Sequence, residues 1–191
     1  MSIATSIETE RLLLRPYRAD DAERVLDVQS RLEVIRWLDN PPFTPMVDLD
    51  QAHGWIDRAH RREREDPLQA WRAVEVRETG LVVGCVLVAR LERIVDGFMG
   101  EYETGWHLNP DSVGRGYASE AAAAMIRAAF AAGHRRLVID MYPDNHPSAA
   151  VARRLGAREI GEQADPWYGD TSLMFELFAT DDVVQQGRRH G

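Results

Sequence analysis

The chain has 191 residues, 31 acidic side chains against 23 basic ones, and a formal net charge of −8. That length closes one sizeable hydrophobic core, and the acidic balance argues against a partner gripped by its phosphates, so no nucleic acid is expected and cationic amines are better-matched substrates. One cysteine, Cys85, excludes an internal disulfide and a multi-cysteine metal site, while the lack of a roughly 20-residue apolar stretch or a secretion signal predicts a cytoplasmic protein without a membrane partner.

Met1 to Ile7 reads as a short leader, residues 8–178 as one domain and residues 179–191 as a polar tail. Arg11 to Arg15, with three consecutive leucines, predicts a first strand closed by Pro16. Asp20 and Asp21 open a helix carrying Ala22, Val25, Leu26 and Val28. A short helix over Leu32 to Leu38 ends before Pro41 and Pro42, and Asp48 or Asp50 caps a third through Trp55, Ile56 and Ala59. Trp71 to Arg77, a turn at Glu78-Thr79-Gly80 and Val82 to Leu91 predict a hairpin, and Glu101 to Leu108 a further strand ended by Asn109-Pro110. Between Tyr117 and Ala132 the apolar residues Ala122, Met125, Ile126, Ala129 and Phe130 fall at helical spacing, with Gly133 as the stop. Arg136 to Tyr142 is a strand, Ser148 to Leu155 a helix, and Ala157 to Glu162 and Ser172 to Phe178 are strands. The order βαααβββαβαββ predicts an α/β (α+β) domain on one mixed sheet.

The segment from Asn109 to Ala121 places a glycine-containing loop between a strand and an alanine-rich helix. Gly114 and Gly116 let backbone N–H groups turn toward a ligand, and a helix N-terminus adds about half a positive charge, so the loop suits a phosphate group. Arg115 adds a charge-assisted contact. A G-x-G turn alone is also an ordinary tight connection. Neither the third glycine of a dinucleotide fingerprint nor the Gly-Lys-Ser/Thr of a nucleotide-triphosphate loop is present.

Two more segments extend the pattern. Thr9-Glu10-Arg11-Leu12-Leu13-Leu14-Arg15 reads T-x-R-L-x-L-R, Gly114 to Ala121 reads G-x-G-Y-A-S-E-A, and Asn145 and Ser148 form N-x-x-S ahead of Leu155-Gly156. In these three motifs, in this order, the chain resembles the GCN5-related N-acetyltransferases (GNAT), within them the ribosomal-protein N-terminal acetyltransferase-like (RimJ/RimL-type) branch. The resemblance runs from about Glu8 to Phe178. It implies a mixed central sheet with helices on both faces and an acyl-CoA cleft where Glu101 to Leu108 and Arg136 to Tyr142 splay apart. Acetyl-CoA, or another acyl-CoA, is the implied co-substrate, with no metal. Trp106 on the first strand would border the pantetheine arm, the loop Val113, Gly114, Arg115, Gly116, Tyr117, Ala118 and Ser119 would hold the pyrophosphate, and Asn145 would contact the pantetheine. Val113 stands where the family often has Gln or Arg. Ala152 stands where many members place a tyrosine acid.

Amide formation needs a neutral amine, donors for the oxyanion and help for the leaving thiolate. Glu103 is the expected base, acting through water, with Glu101 on the same face and His107 on the same strand as the other candidates. Ser148 is the expected partner of the thiolate, a role that competes with simple helix capping by the same hydroxyl. Trp167 and Tyr168 could wall the acceptor pocket, whereas His53 and His60 read as surface imidazoles. The expected activity is acetyl transfer to a primary amine, a protein N-terminal α-amine or a small-molecule amine. Peptide N-termini, polyamines, aminoglycosides and amino acids all remain open as acceptors, and the sequence allows a homodimer. The alternatives are transfer of another acyl group such as succinyl, and a catalytically weak acyl-CoA-binding or sensor module.

Overall fold

Alternating apolar residues pair eight strands into one sheet in the computed structural model, which describes residues 1–38 and 40–179. The strands are β1 (Ile7–Glu8), β2 (Leu12–Arg15), β3 (Ala70–Val76), β4 (Leu81–Arg93), β5 (Gly97–Leu108), β6 (Arg136–Met141), β7 (Arg158–Ala164) and β8 (Thr171–Phe178). Their spatial order is β1-β2-β3-β4-β5-β6-β8-β7. Every neighbouring pair is antiparallel except β5 and β6, which run parallel with a single registered pair, Glu103 and Val138. Beyond that pair the two strands part, leaving the main chain of each without a neighbour on its inner edge.

Helices cover both faces. On one lie α1 (Ala22–Gln29) and α3 (Leu49–Glu65), with α2 (Leu32–Ile35) following α1; on the other lie α4 (Tyr117–Ala132) and α5 (His146–Arg154). The α4 face buries Leu12, Val74, Val86 and Val88 from one half of the sheet together with Leu137, Ile139, Phe175 and Leu177 from the other. Helix α4 meets them with alanines: Ala121, Ala122, Ala124 and Ala129 are each at most 2% exposed.

The element order agrees with the sequence reading, with local differences. Strands β4 and β5 are longer than expected because they form a second hairpin, through Ile94-Val95-Asp96, whose turn signal is the dipeptide Asp96-Gly97, left unread in the sequence. Helix α5 begins at His146 because Pro147 fits its first turn. The segment read as a leader is packed in part: Ile3 is buried, its amide bonds to the carbonyl of Pro67, and Ile7 pairs with Leu14. Asp48 caps α3, accepting from the Gln51 amide at 2.8 Å. Asp21 sits at the N-cap of α1, but its carboxylate turns to the buried Arg15 guanidinium at 2.7 and 2.9 Å, which also meets Glu75 at 2.6 Å. Burial alone would raise the Asp21 pKa; the Arg15 guanidinium and the Arg18 amide reverse that and hold it below the usual carboxylate range. Apart from Ala179, the tail expected at 179–191 lies outside the described residues.

Candidate active site

The parting of β5 and β6 opens a cleft of about 1150 Å³, at the large end of small-molecule sites. At one end stands the N-terminus of α4. Gly116 precedes it in the left-handed region at φ 80°, and no side chain caps the helix there. The amides of its first turn therefore have no intrahelical acceptor and face the cleft with the positive end of the helix dipole.

This loop is gripped from the far edge of the sheet. Arg11 donates from one terminal nitrogen to the Arg115 carbonyl at 2.8 Å, and its Nε and other terminal nitrogen reach Glu120 at 2.7 and 2.6 Å. Thr9 Oγ1 and the Arg11 amide also donate to Glu120, at 2.6 and 2.9 Å. Burial alone would raise the Glu120 pKa, but these donors hold it below the usual carboxylate range. The first motif is thus the clamp of the second, a link between residues 109 positions apart that reading along the chain does not reveal.

Of the residues expected around the donor, Trp106, Val113 and Gly114 line the cleft, as do Gly116, Tyr117, Ala118 and Ser119. Arg115 does not: its side chain is exposed and only its carbonyl is engaged. The cation at this end of the cleft is Arg154 of α5, whose guanidinium donates to Ser119 Oγ at 2.7 Å. Asn145 also lines the cleft, and its side-chain oxygen caps α5 by accepting from the Ser148 amide at 3.3 Å. Capping is therefore supplied by Asn145, which leaves the Ser148 hydroxyl in the cleft wall for other use. Ala152 is fully buried. An acyl-CoA fits these features: free strand edges for an amide-bearing arm, and uncapped amides with Arg154 for phosphates.

At the other end lie the acceptor-side candidates. Glu101 and Glu103 share a face but not an environment. Glu101 is bound by Arg93 at 2.7 and 2.8 Å and by Trp167 Nε1 at 3.0 Å, and Arg93 accordingly lowers its pKa. Glu103 lines the cleft and accepts a hydrogen bond from Tyr168 Oη at 2.9 Å; desolvation pushes its pKa up. His107 lines the cleft too, and burial lowers its pKa to about 4, so it is neutral at physiological pH. Trp167 is buried behind this wall, whereas Tyr168 and the following Gly169 and Asp170 form part of it. Over the mouth, Asn40 accepts from Tyr142 Oη at 3.1 Å and donates to the Tyr168 carbonyl at 2.7 Å. Among the described residues no group of three or more His, Cys, Asp or Glu is placed to hold a metal ion, and burial pushes the Cys85 thiol up to about 12, an inert value.

The acetyltransferase (GNAT) domain profile matches residues 11–158. The chain belongs to the GNAT acetyltransferase family. It is 27% identical over 158 residues to the uncharacterized N-acetyltransferase YnaD of Bacillus subtilis, covering 81% of this chain and 84% of that protein. The GNAT-family acetyltransferase structure from Bacillus anthracis superposes with a TM-score of 0.74 at 22% identity, over 92% of this chain and 99% of that one. The ribosomal-protein-S5-alanine acetyltransferase of Vibrio fischeri superposes with a TM-score of 0.71 at 19% identity, over 93% and 98%. The mixed sheet and its parted pair are the GNAT fold, and GNAT acetyltransferases take their acetyl group from acetyl-CoA.

Three cleft residues of this GNAT enzyme were not singled out in the sequence: Asp140, Tyr142 and Arg154. Asp140 had a usable signal, as the one acidic residue inside the apolar strand Arg136–Met141. Arg154, one of two adjacent arginines at the end of a helix, had none.

Proposed function

We propose that this enzyme transfers the acetyl group of acetyl-CoA to a primary amine and that a lone α-amine, as at a peptide N-terminus, is the acceptor class it suits best. The observation that carries the reading is the passage through the parted sheet, with unsatisfied helix amides at one end and, at the other, a carboxylate, Glu103, whose pKa desolvation raises. Acetyl-CoA supplies the activated thioester. The first-turn amides of α4 and Arg154 would hold its phosphates. The Ser148 hydroxyl would donate to the departing sulfur, and Glu103 would take the proton of the incoming amine, directly or through water.

An α-amine with a pKa near 7.7–8.0 is roughly a tenth neutral at pH 7, whereas a lysine-like amine near 10.4 is almost wholly protonated. A cleft whose bases are a carboxylate, Glu103, and an imidazole, His107, whose pKa is lowered to about 4 favours the former. The Vibrio fischeri protein, named as an alanine acetyltransferase of ribosomal protein S5, supports this class of acceptor. Among the described residues no helix is long and apolar enough to cross a membrane, and a cytoplasmic setting is part of the proposal. The test is thiol release from acetyl-CoA with peptides, polyamines, aminoglycosides and amino acids as acceptors. Peptide-dependent release, acetylated at the N-terminus by mass spectrometry, is expected. Tight CoA binding without release for any amine would favour the acyl-CoA sensor instead.

A further inference from the structure

Asp140 is an acidic cleft residue beside Glu103 that the reading above leaves without work. Val138 is in register with Glu103, so Asp140, two positions on, projects from the same face of the sheet toward the same end of the cleft. Both line the cleft, close enough for each carboxyl group to act on the other, and Tyr168 donates to Glu103 from the opposite wall. The other charges that face the pair are few. Arg62 of α3 is the cation acting on Glu103. Asp165, in the turn before β8, adds a further negative charge, although its own oxygens are taken by the amides of Trp167 and Tyr168 and by Ser172 Oγ. His107, on the same strand and face, is neutral. Glu101 is neutralised by Arg93.

Two interacting carboxylates do not ionise independently: their protons leave in two steps that belong to the pair, the second at raised pH. Desolvation pushes both groups up, Asp140 the further; the Glu103 carboxylate adds to the rise of Asp140, while a hydrogen bond from the protonated Asp140 carboxyl eases Glu103 partly back down. Once both are ionised, a proton delivered to one is held between two oxygens.

We propose that Asp140 is a positioning residue that makes Glu103 the proton-accepting half of a carboxylate pair at the acceptor end of the cleft. The acceptor enters as an ammonium, attracted by the doubly ionised pair. One N–H bond breaks, its electron pair staying on nitrogen. The proton forms an O–H bond on Glu103 shared with Asp140, and the amine is left neutral for attack. The pair loses one negative charge and the amine its positive charge, so the step balances. This inference rests on reading Glu103 as the base. It adds that the strength of that base is set by Asp140.

Two measurements test it. Carbon-13 carboxyl NMR of the protein without acetyl-CoA follows both groups through a pH titration. The pair predicts two coupled steps, each seen at both residues, and in Asp140→Asn a single step at Glu103 moved to lower pH. The asparagine retains a donor toward Glu103, and the wild-type titration needs no substitution at all. Kinetics with acetyl-CoA and an alanine-initiated peptide then give the acid limb of kcat/KM. In Asp140→Asn that limb moves to lower pH by about one unit or more while the plateau falls by about tenfold. Independent titration in the wild type, or an unmoved limb in Asp140→Asn, overturns the pair and leaves Glu103 as a lone base. Glu103→Gln with the wild-type rate and pH profile overturns the base and the pair together.

Discussion

Replacing Gly116 with alanine perturbs the donor end of the cleft at one atom. The left-handed conformation at φ 80° costs an L-residue about 1–2 kcal/mol. The new Cβ would also stand 3.3 Å from a terminal nitrogen of Arg11. That guanidinium has little room to give, since it is tied to the Arg115 carbonyl and to Glu120. If the turn relaxes to escape the strain, the amides of Tyr117, Ala118 and Ser119 swing away from the phosphates they are proposed to hold. At about 1.4 kcal/mol per factor of ten, CoA should bind roughly 5- to 30-fold more weakly. Isothermal titration with CoA measures this, and far-ultraviolet circular dichroism confirms that the variant is folded. Gly80→Ala is the control: its turn has φ 68°, its Cβ would meet nothing within 4 Å, and it lies outside the cleft. That variant should lose similar stability yet bind CoA as the wild type does. A folded Gly116→Ala protein with unchanged affinity, or an equal loss in Gly80→Ala, refutes the placement of the phosphates at this turn.

Arg11→Ala should weaken CoA binding by about fivefold and lower the melting temperature by a few degrees, because Glu120 and the Arg115 carbonyl lose their shared donor; an affinity equal to wild type would show that the clamp is not needed. Asp21→Asn leaves the buried Arg15 with Glu75 alone and should cost about 2–4 kcal/mol in urea unfolding. Because the folded-state pKa of Asp21 lies below its unfolded value, this contribution is present above about pH 4 and fades as the pH falls through the lowered value. His107 behaves in the opposite sense: its imidazole is held neutral down to about 4, so the unfolded chain takes up a proton first. Stability should fall by about 2–3 kcal/mol between roughly pH 6.5 and pH 4 on its account, and His107→Asn should remove that part of the slope.

Much of this architecture is legible residue by residue. The leucines of Leu12–Arg15, the alanine-rich stretch Tyr117–Ala132 and the Gly133 stop mark their elements because each depends on neighbours within a turn or a strand. The clamp of Arg11 on Glu120 is not legible, since it joins two elements that only the folded sheet brings together. Glu101 and Glu103 are equivalent in the alternation of β5, and they separate only when Arg93 arrives across the hairpin and Trp167 from the loop before β8. Read along the chain, the Ser148 hydroxyl is itself a candidate to cap α5. The fold decides by giving the cap to Asn145, which frees the hydroxyl. Asp140 goes unread for a related reason: an acidic residue in an apolar strand acquires meaning only when the neighbouring strand ends its pairing two residues earlier.

The alanines of α4 carry a consequence for how the two reactants are aligned. A helix faced with such short side chains rides low on the sheet, and this one lies against β4 and β5, at the edge of the seam. The course of β5 along the seam, and the depth at which the helix presents its first-turn amides, are therefore governed by one rigid body acting like a keel. Donor and acceptor registration is a property of that keel as a whole. A bulkier residue near its middle, at Ala124 for example, would tilt the first turn and β5 together without touching either ligand.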